Sequence, residues 1–509
     1  MWSPTPKGRL VIVSNRLPVS IKDLGQGRYE TKPSCGGLIT GLRGVVNKDN
    51  EFLWFGWPGM EIPKDNVPPL KKTLMEERNA IPVLLDQNTS DLYYNGFSNS
   101  TLWPLLHYQL DKASFDDNSM HAYRKANKAF ADTIMCELKD GDHVWVHDYH
   151  LMLLPLMLRQ RAEKLKININ IGWFLHTPFP DCDFLNVLPM RNELLGGILG
   201  ADVVGFQTDQ ARNNFLFACS QSLRWFATGT GVLCGDREVS AQTFPIGIEP
   251  SEFHCRLRKS SVQSTVRRLR VDFRGTKVIL GVDRLDCIKG LPQKLHAFDK
   301  LLDQYPELVG HAVLLQVVIP SRDDLKAHQD LKWEIQQLVG MINGKHGKVN
   351  YVPVQFLYKP IDPDELTALY TAADVCFVSS IRDGMNLVCL EYVACQAHHG
   401  TEALQSSRKD KAPGSLVLSS FAGAANHLDG ALFVNPWDHE RCADVLAHAL
   451  SMDAAEASAR MEKLGLQVEQ QTSSLWGSNF IEALEKFGKS RSAKDRRSRD
   501  SAISLEEYS

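Results

Sequence analysis

The segment VILGVDRLDCIKGL, residues 278–291, changes character within a few positions. Its first half is apolar and β-branched, which is typical of a buried strand in a parallel sheet. Arg284 and Lys289 then follow, and Gly290 closes the run. Open α/β sheets bind their ligands beyond the carboxyl ends of the strands. The pattern therefore predicts two cations at a strand end, where they would stabilise negative charge that develops during a reaction.

A second polar segment, RDGMNLVCLE (residues 382–391), follows another apolar run. We expect Asp383 to begin a helix whose N–H groups bind a phosphate or sugar hydroxyls. Glu391 lies about two helical turns further on and would reach a ribose, because a carboxylate suits vicinal hydroxyls. With Arg284 and Lys289 on a pyrophosphate, this half predicts a site for a nucleotide-sugar diphosphate.

Polar residues follow the predicted strands of the first half as well. Arg16 follows the first strand, and Gly36 and Gly37 open a predicted helix whose backbone N–H groups could approach an anion. Asp148 and His176 follow two further strands. A single histidine at a strand end is more often a hydrogen-bonded core residue than a catalyst. The recurrence of cations, glycines and histidines at strand ends is what indicates a site.

Strand-like and helix-like segments alternate along most of the chain. The predicted strands are Leu10–Ser14, Phe52–Trp57, His143–Asp148, Asn170–His176, Val203–Thr208 and Thr243–Ile248 in the first half, and Lys277–Asp283, Ala312–Ile319, Asn350–Leu357, Val375–Ser380, Ser415–Ser420 and Ala431–Val434 in the second. Helices are predicted between them, for example at 291–304 and 364–373. This is the βαβ pattern of a doubly wound parallel sheet, and it occurs twice.

The alternation predicts an α/β chain of two Rossmann-like domains. A polar, basic stretch, Arg256–Arg270, is interpreted as a linker running into a helix. We therefore expect an N-terminal domain over 1–255 and a C-terminal domain over 256–470, followed by a helix over 471–488. The tail, 489–509, has almost no apolar residues and is predicted to be disordered.

The composition excludes several classes of function. The 509 residues carry 57 basic and 60 acidic side chains, and this balance argues against nucleic acid or a membrane surface as the main partner. No apolar stretch predicts a transmembrane helix or a signal peptide. The eleven cysteines form no CxxC pair, which predicts reduced thiols in a cytoplasmic protein rather than disulfides or structural zinc.

Eight segments occur in order between about Arg9 and about Phe487: SNRLPVS, GGLITGL, FGWPG, YYNGFSNSTLWPLLHY, VHDYHLMLLP, HTPFP, DRLDCIKGL and RDGMNLVCLEYVACQ. In this combination the chain resembles the fungal-type α,α-trehalose-6-phosphate synthases (UDP-forming). The resemblance implies a GT-B fold, with two Rossmann-like domains facing across a cleft. It assigns the acceptor to the domain over 1–255 and UDP-glucose to the domain over 256–470, and it implies that the helix over 471–488 packs back on the N-terminal domain. It implies transfer of glucose from UDP-glucose to glucose 6-phosphate with retention of configuration, which gives α,α-trehalose 6-phosphate and UDP.

The resemblance also assigns roles to residues. The implied donor-binding residues are Gly36, Gly37, His176, Arg284, Lys289, Ile361, Asp383, Gly384, Met385, Asn386, Leu387, Val388, Cys389, Leu390 and Glu391. The implied acceptor-binding residues are Arg16, Trp57, Tyr94, Trp103, Asp148 and Arg322. The implied catalytic residues are Arg284, Lys289, Asp148, His176 and Asp383. They would serve a front-face mechanism in which the departing phosphate oxygen takes the proton of the acceptor hydroxyl. No metal or other cofactor is implied, because the cations would do the work of a divalent ion.

The implied partners are the two small-molecule substrates, a second copy of the chain in a homo-oligomer, and, in a complex, a trehalose-6-phosphate phosphatase. Two alternatives stay open. Another GT-B transferase, such as a glycogen or sucrose-phosphate synthase, is distinguished by the acceptor, since a polysaccharide needs no phosphate pocket. A regulatory or scaffolding subunit of a trehalose synthase complex would bind the sugar phosphate with little turnover. Cys287, where the family usually has tyrosine, is the departure nearest to the catalytic residues.

Overall fold

The computed structural model describes residues 8–25, 28–33, 41–42, 45, 52–320, 326–397 and 412–488. These residues form two compact units. The first runs to Pro245 and resumes at Ser473, and the second runs from Ile246 to Thr472. The chain thus passes into the second unit before the boundary expected at residue 255. The tail beyond residue 488 lies outside the described residues.

The basic stretch Arg256–Arg270 contains the expected helix, but the linker expected before it is largely helical as well. One helix, Pro250–Leu257, is followed by another, Ser260–Asp272. Leu257, Val262 and Val266 are buried in one apolar cluster with Ala368 of the second unit. Charged residues occupy the outer face of these helices, so the stretch is polar in sequence although its inner face is packed.

The first unit contains a nine-stranded sheet and a separate hairpin. Its strands are β1 (Leu10–Arg16), β2 (Val19–Asp23), β3 (Tyr29–Pro33), β4 (Phe52–Trp57), β5 (Ala80–Pro82), β6 (His143–His147), β7 (Asn170–Phe174), β8 (Val203–Phe206), β9 (Phe226–Ala227), β10 (Gly231–Cys234) and β11 (Arg237–Thr243). The sheet order is β5-β4-β1-β6-β7-β8-β11-β10-β9, and β2 pairs with β3. All neighbours from β5 to β11 are parallel, and β10 and β9 extend that edge antiparallel. The order reverses beside β1, which lies between β4 and β6.

Helices connect these strands. They are α1 (Val67–Arg78), α2 (Gln87–Asp91), α3 (Trp103–Leu106), α4 (Asp117–Met135), α5 (Leu154–Leu165), α6 (Cys182–Asn186), α7 (Arg191–Ile198) and α8 (Asp209–Leu223). A π-helix, Leu92–Leu102, precedes α3. Residues 473–488 form a C-terminal helix. The ring of Phe480 from this helix stacks on Trp145 of β6 at 4.5 Å, and Trp476 lies 5.1 Å from Phe174 of β7.

The second unit contains a six-stranded parallel sheet. Its strands are β12 (Lys277–Arg284), β13 (Ala312–Ile319), β14 (Val354–Tyr358), β15 (Val375–Val378), β16 (Ser415–Ser419) and β17 (Leu432–Val434), in the order β14-β13-β12-β15-β16-β17. Its helices are α9 (Pro250–Leu257), α10 (Ser260–Asp272), α11 (Leu291–Gln304), α12 (Lys326–His346), α13 (Pro363–Ala372), α14 (Leu387–Ala397), α15 (His439–Ser451) and α16 (Ala454–Gln470). The parallel sheet explains the apolar runs, because both of its faces are covered.

Most of the predicted strands are confirmed, and one is wrong. The strand β13 has the predicted bounds, whereas the strand expected at Thr243–Ile248 is β11, Arg237–Thr243. Only Val239 and Ala241 of β11 are buried, so the strand alternates polar and apolar residues and lacks the continuous apolar run of its neighbours. None of the described helices is long and apolar enough to span a membrane.

Candidate active site

In the second unit, the strand order reverses between the neighbouring strands β12 and β15. The loops that follow these two strands bring Lys289 and Asp383 together. The Nζ atom of Lys289 donates to Oδ2 of Asp383 at 2.5 Å, and each side chain is 13% exposed. Such a switch point is where doubly wound sheets bind their ligands. The structure therefore places two of the predicted catalytic residues at the expected ligand position of this unit.

The loop that carries Lys289 is held rigidly. A 3-10 helix, Cys287–Lys289, follows β12, and Oδ1 of Asp286 accepts a hydrogen bond from the backbone N–H of Ile288 at 3.3 Å. Gly290 has a φ of +64°, and a Cβ atom there would lie 2.0 Å from the carbonyl oxygen of Ser379. The Oγ atom of Ser379 donates to the carbonyl oxygens of Lys289 and Gly290. Only glycine fits this turn, which explains why the cations of the motif are followed by Gly290.

Arg284 is the last residue of β12, and its side chain is 47% exposed with Nη2 3.9 Å from Oδ2 of Asp286. The preceding residue, Asp283, points the other way into the unit. Its Oδ2 atom accepts from Nζ of Lys294 at 2.5 Å and from Nε2 of Gln316 at 3.0 Å. This buried ion pair was not predicted from the sequence. The signal was a lysine at an otherwise apolar position of α11, since Leu291, Lys294, Leu295 and Phe298 are all buried.

The carboxylate of Asp383 accepts hydrogen bonds from three side chains. Besides Lys289, its Oδ2 atom accepts from Oγ of Ser380 at 3.2 Å and from Nδ2 of Asn386 at 3.3 Å. Asn386 has a φ of +88°, a conformation that non-glycine residues rarely adopt, and strain of this kind concentrates at functional sites. Its Oδ1 atom accepts from the backbone N–H of Cys389 at 3.2 Å, which caps the start of α14 at Leu387. The helix expected to begin at Asp383 begins instead at Leu387, with Asn386 as its cap, because the side chain of Asp383 is held by Lys289.

The remaining predicted donor residues differ in exposure. Leu387, Val388, Ile361 and Glu391 are half-buried, whereas Gly384, Met385, Cys389 and Leu390 are buried. The hydroxyl of Tyr370 on α13 donates to Oε2 of Glu391 at 2.8 Å. Burial raises the pKa of Glu391 to about 7, and the hydrogen bond from Tyr370 opposes this rise by favouring the ionised carboxylate. Glu391 therefore titrates near neutral pH.

In the first unit, Arg16 ends β1 and contacts two aromatic side chains. Its Cζ atom is 4.2 Å from the ring centroid of Trp57, which ends the neighbouring strand β4, and 5.4 Å from that of Tyr94. Tyr94 lies on the π-helix, and such helices are frequent at functional sites. Ring faces orient a guanidinium while its N–H edge stays suited to bidentate contact with a phosphate. The structure thus brings together three of the predicted acceptor residues.

Gly59 is a further residue of this cluster that sequence analysis did not single out. It has a φ of +93°, and a Cβ atom there would lie 1.8 Å from Nη1 of Arg16. A side chain at this position would therefore displace the guanidinium. The residue is the last of the FGWPG motif, but the sequence gives no sign that it contacts Arg16.

One other predicted acceptor residue, Trp103, joins the cluster through aromatic contacts. The ring of Tyr94 stacks on His150 at 5.8 Å with an interplanar angle of 14°. His150 lies 4.0 Å from the ring of Tyr149, and Trp103 lies 5.7 Å from the same ring. The motif VHDYHLMLLP therefore supplies the rings that connect Tyr94 with Trp103.

Asp148 and His176 follow the neighbouring strands β6 and β7. Asp148 has a φ of +74°, its backbone N–H donates to the carbonyl oxygen of Phe174 at 2.7 Å, and its Oδ1 atom accepts from the backbone N–H of His176 at 3.2 Å. The ring of His176 is joined to His147, with Nε2 of the former 3.2 Å from Nδ1 of the latter. Burial lowers the pKa of His147 well below its ordinary value and that of His176 to about 3. Both imidazoles are neutral at physiological pH.

Three predicted site residues, Gly36, Gly37 and Arg322, lie outside the described residues. Among the residues that are described, one group has the geometry of a metal site, Asp299 with Asp303 and His346. The ammonium of Lys345 already donates to Asp299 at 3.1 Å and to Asp303 at 2.7 Å. This group lies on α11 and α12 and includes none of the predicted site residues.

The chain is similar to characterised proteins along nearly its whole length. Residues 8–486 match the family described as Glycosyltransferase family 20. A relative from Emericella nidulans, named "Alpha,alpha-trehalose-phosphate synthase [UDP-forming]", is 46% identical over 96% of this chain and 94% of its own.

Two solved structures are similar in fold. One, from E. coli and described as bound with UDP-2-fluoro glucose, has a TM-score of 0.82 at 34% identity and covers 94% of this chain and 99% of its own. The other is a UDP-forming synthase from Burkholderia xenovorans in complex with glucose-6-phosphate, with a TM-score of 0.81 at 32% identity over 94% of this chain and 100% of its own. These matches confirm the predicted GT-B fold class. In each unit, predicted site residues lie where the strand order reverses, and the family match covers nearly the whole chain. The chain therefore belongs to glycosyltransferase family 20.

Proposed function

We propose that this protein is a trehalose-6-phosphate synthase, which transfers glucose from UDP-glucose to glucose 6-phosphate with retention of configuration and releases UDP. The proposal rests on one observation: the guanidinium of Arg16 contacts the rings of Trp57 and Tyr94, which orient this cation. An acceptor with a phosphate needs such a cation, whereas a growing polysaccharide does not. The solved relatives that are described with a UDP-sugar analogue and with glucose-6-phosphate support the same pair of substrates.

On the donor side, Arg284 and Lys289 bind the diphosphate of UDP-glucose and stabilise its negative charge. Lys289 is paired with Asp383 at 2.5 Å, and this carboxylate orients the ammonium at the switch point between β12 and β15. An ammonium has three donors, so the same group can contact a phosphate while it keeps its carboxylate. Glu391 accepts hydrogen bonds from the ribose, and the start of α14 directs backbone N–H groups at oxygen atoms of the donor.

The reaction then needs no group beyond these residues and the two substrates. The bond between the anomeric carbon of glucose and the diphosphate breaks, and a bond from that carbon to the acceptor hydroxyl oxygen forms on the same face. The hydroxyl proton passes to the departing phosphate oxygen. Negative charge grows on the diphosphate during this step, and preorganised cations stabilise it; the loss of one such contact costs about 10²–10³-fold in rate.

The test is the release of UDP by the purified protein given UDP-glucose, with and without glucose 6-phosphate and with no added metal. We expect release that depends on glucose 6-phosphate, with trehalose 6-phosphate as the product. Comparable release with unphosphorylated glucose would favour another GT-B transferase. Calorimetric binding of both substrates without release would favour the regulatory subunit, and Cys287→Tyr would then be the next variant.

We further propose that the protein works in the cytoplasm as a homo-oligomer and that it associates with a trehalose-6-phosphate phosphatase. The ten cysteines among the described residues are all free thiols, which suits a reducing compartment. Light scattering coupled to size-exclusion chromatography, of the protein alone and mixed with the phosphatase, measures both assemblies. A single monomeric peak in both runs would contradict them.

A further inference from the structure

The two ring nitrogens of His147 have different surroundings. The residue is fully buried, and its Nδ1 atom lies 3.2 Å from Nε2 of His176. Its Nε2 atom is buried and, among the residues that the structure describes, has no hydrogen-bond partner. Only one side of this imidazole therefore takes part in a hydrogen bond, and that bond is directed at a predicted catalytic residue.

The difference fixes where the proton of His147 resides. Both imidazoles are neutral, since burial lowers the pKa of each. A neutral imidazole carries one N–H and one lone pair. A buried N–H without an acceptor is rarer and costlier than a lone pair without a donor. The proton of His147 therefore lies on Nδ1 and is donated to Nε2 of His176.

This donation determines the tautomer of His176. Its Nε2 atom accepts, so its own proton must lie on Nδ1, and no described residue forms a hydrogen bond with that atom. We propose that His147 is a positioning residue that holds His176 as the Nδ1–H tautomer, so that His176 donates a neutral hydrogen bond to an oxygen of the UDP-glucose sugar. The inference rests on the proposed function for the identity of the ligand, but the tautomer itself does not depend on it.

Packing keeps the two rings in this arrangement. The ring of Trp145 lies 4.6 Å from His147, and that of Trp476 lies 5.9 Å from His176 in an edge-on contact. The backbone N–H of His176 is held by Oδ1 of Asp148. Rotation of either ring would need one of these contacts to break, so the donor at Nδ1 is oriented before a ligand binds.

The first test reads the tautomer in the ligand-free protein. Long-range proton–nitrogen correlation spectra of the ¹⁵N-histidine-labelled protein show which ring nitrogen carries the proton, and His176→Asn identifies the signal. We expect Nδ1–H for both His147 and His176. A proton on Nε2 of His176 would overturn the inference. This result does not depend on turnover, so it stands or fails separately from the proposed function.

The second test measures calorimetric affinity for UDP-glucose in three variants. His147→Phe keeps a ring but removes the donor, and we expect about 3-fold to 10-fold weaker binding, as for one neutral hydrogen bond. His147→Asn places an amide N–H near the position of Nδ1 and should restore most of the affinity. His346→Asn, in which a half-buried histidine bonded to Asp299 is lost away from the site, is the control and should bind normally. Equal losses for the phenylalanine and asparagine variants, or no loss in either, would refute a positioning role.

Discussion

Replacing Gly59 by alanine is expected to weaken the binding of glucose 6-phosphate and to leave the binding of UDP-glucose unchanged. The added Cβ atom would lie 1.8 Å from Nη1 of Arg16, far inside van der Waals contact. The atom it meets is the end of a flexible side chain. The guanidinium can therefore move away while the strands β1 and β4 keep their pairing, so we expect a folded protein with a displaced Arg16.

The size of the effect follows from what Arg16 contributes. A hydrogen bond to a charged group is worth about 1.5–3 kcal/mol, which corresponds to about 10-fold to 150-fold in affinity. Alanine at a positive φ also costs roughly 1–2 kcal/mol of folding free energy. Gly235 has a φ of +63° with no atom within 4 Å of its Cβ position. Gly235→Ala is therefore the control: it has the unfavourable backbone conformation but no steric clash.

The assay is isothermal titration of each variant with glucose 6-phosphate and, separately, with UDP-glucose, after urea unfolding has shown that both variants are folded. Arg16→Ala gives the loss expected when the guanidinium is absent. The reasoning would be refuted if Gly59→Ala bound glucose 6-phosphate as tightly as the unchanged protein. It would also be refuted if Gly235→Ala lost the same affinity, because the backbone rather than Arg16 would then be responsible.

Three further predictions follow from the second unit. Lys289→Met should lower turnover about 10²–10³-fold, because a cation at the departing diphosphate is lost; equal weakening of glucose 6-phosphate binding in titration would contradict this. Lys294→Met should lower the free energy of unfolding by about 3–5 kcal/mol, since it leaves the carboxylate of Asp283 buried and unpaired. Lys277→Met removes a half-exposed ion pair and should lower the free energy of unfolding, measured by urea titration, by about 1 kcal/mol or less. Similar losses in Lys277→Met and Lys294→Met would contradict the role given to burial. Burial raises the pKa of Glu391 to about 7, so the ionised fraction falls as the pH drops through that value, and affinity for UDP-glucose should then fall about tenfold per pH unit. Glu391→Gln should bind UDP-glucose with no such pH dependence. If the dependence persisted in this variant, a group other than Glu391 would be responsible for it.

Local sequence was sufficient for the elements that have a clear apolar pattern of their own. The strand β13 and the helix Leu291–Gln304 have the bounds that the sequence predicts, because a continuous apolar run and a 3.6-residue period are properties of a short segment. The strands β9 and β10 were missed, since they lie at an antiparallel edge where few residues are buried. The helix expected within Arg256–Arg270 is present as α10, but the linker expected before it begins inside α9, whose inner face alone is apolar.

The candidate site also contains residues that the sequence predicts and contacts that only the packing reveals. Residue type and position after a strand were enough to select Arg16, Arg284 and Lys289. They could not show that Asp283 is paired with a lysine inside the second unit, because the partner is defined by the packing of α11 against the sheet. Nor could they show the partner of His176, since His147 ends β6, His176 follows β7, and the adjacency of these strands is a property of the sheet.

By itself, the sequence determined which residues stand at strand ends and what charge they carry, because strand length and polarity are set by neighbouring residues. Only the tertiary structure decided which strand ends meet. Lys289 and Asp383 are 94 residues apart, and they pair because β12 and β15 are neighbours in the sheet. Gly59 matters for Arg16 only because β1 and β4 run side by side. Sheet order is fixed by the burial of all the strands together, and no single segment contains that information.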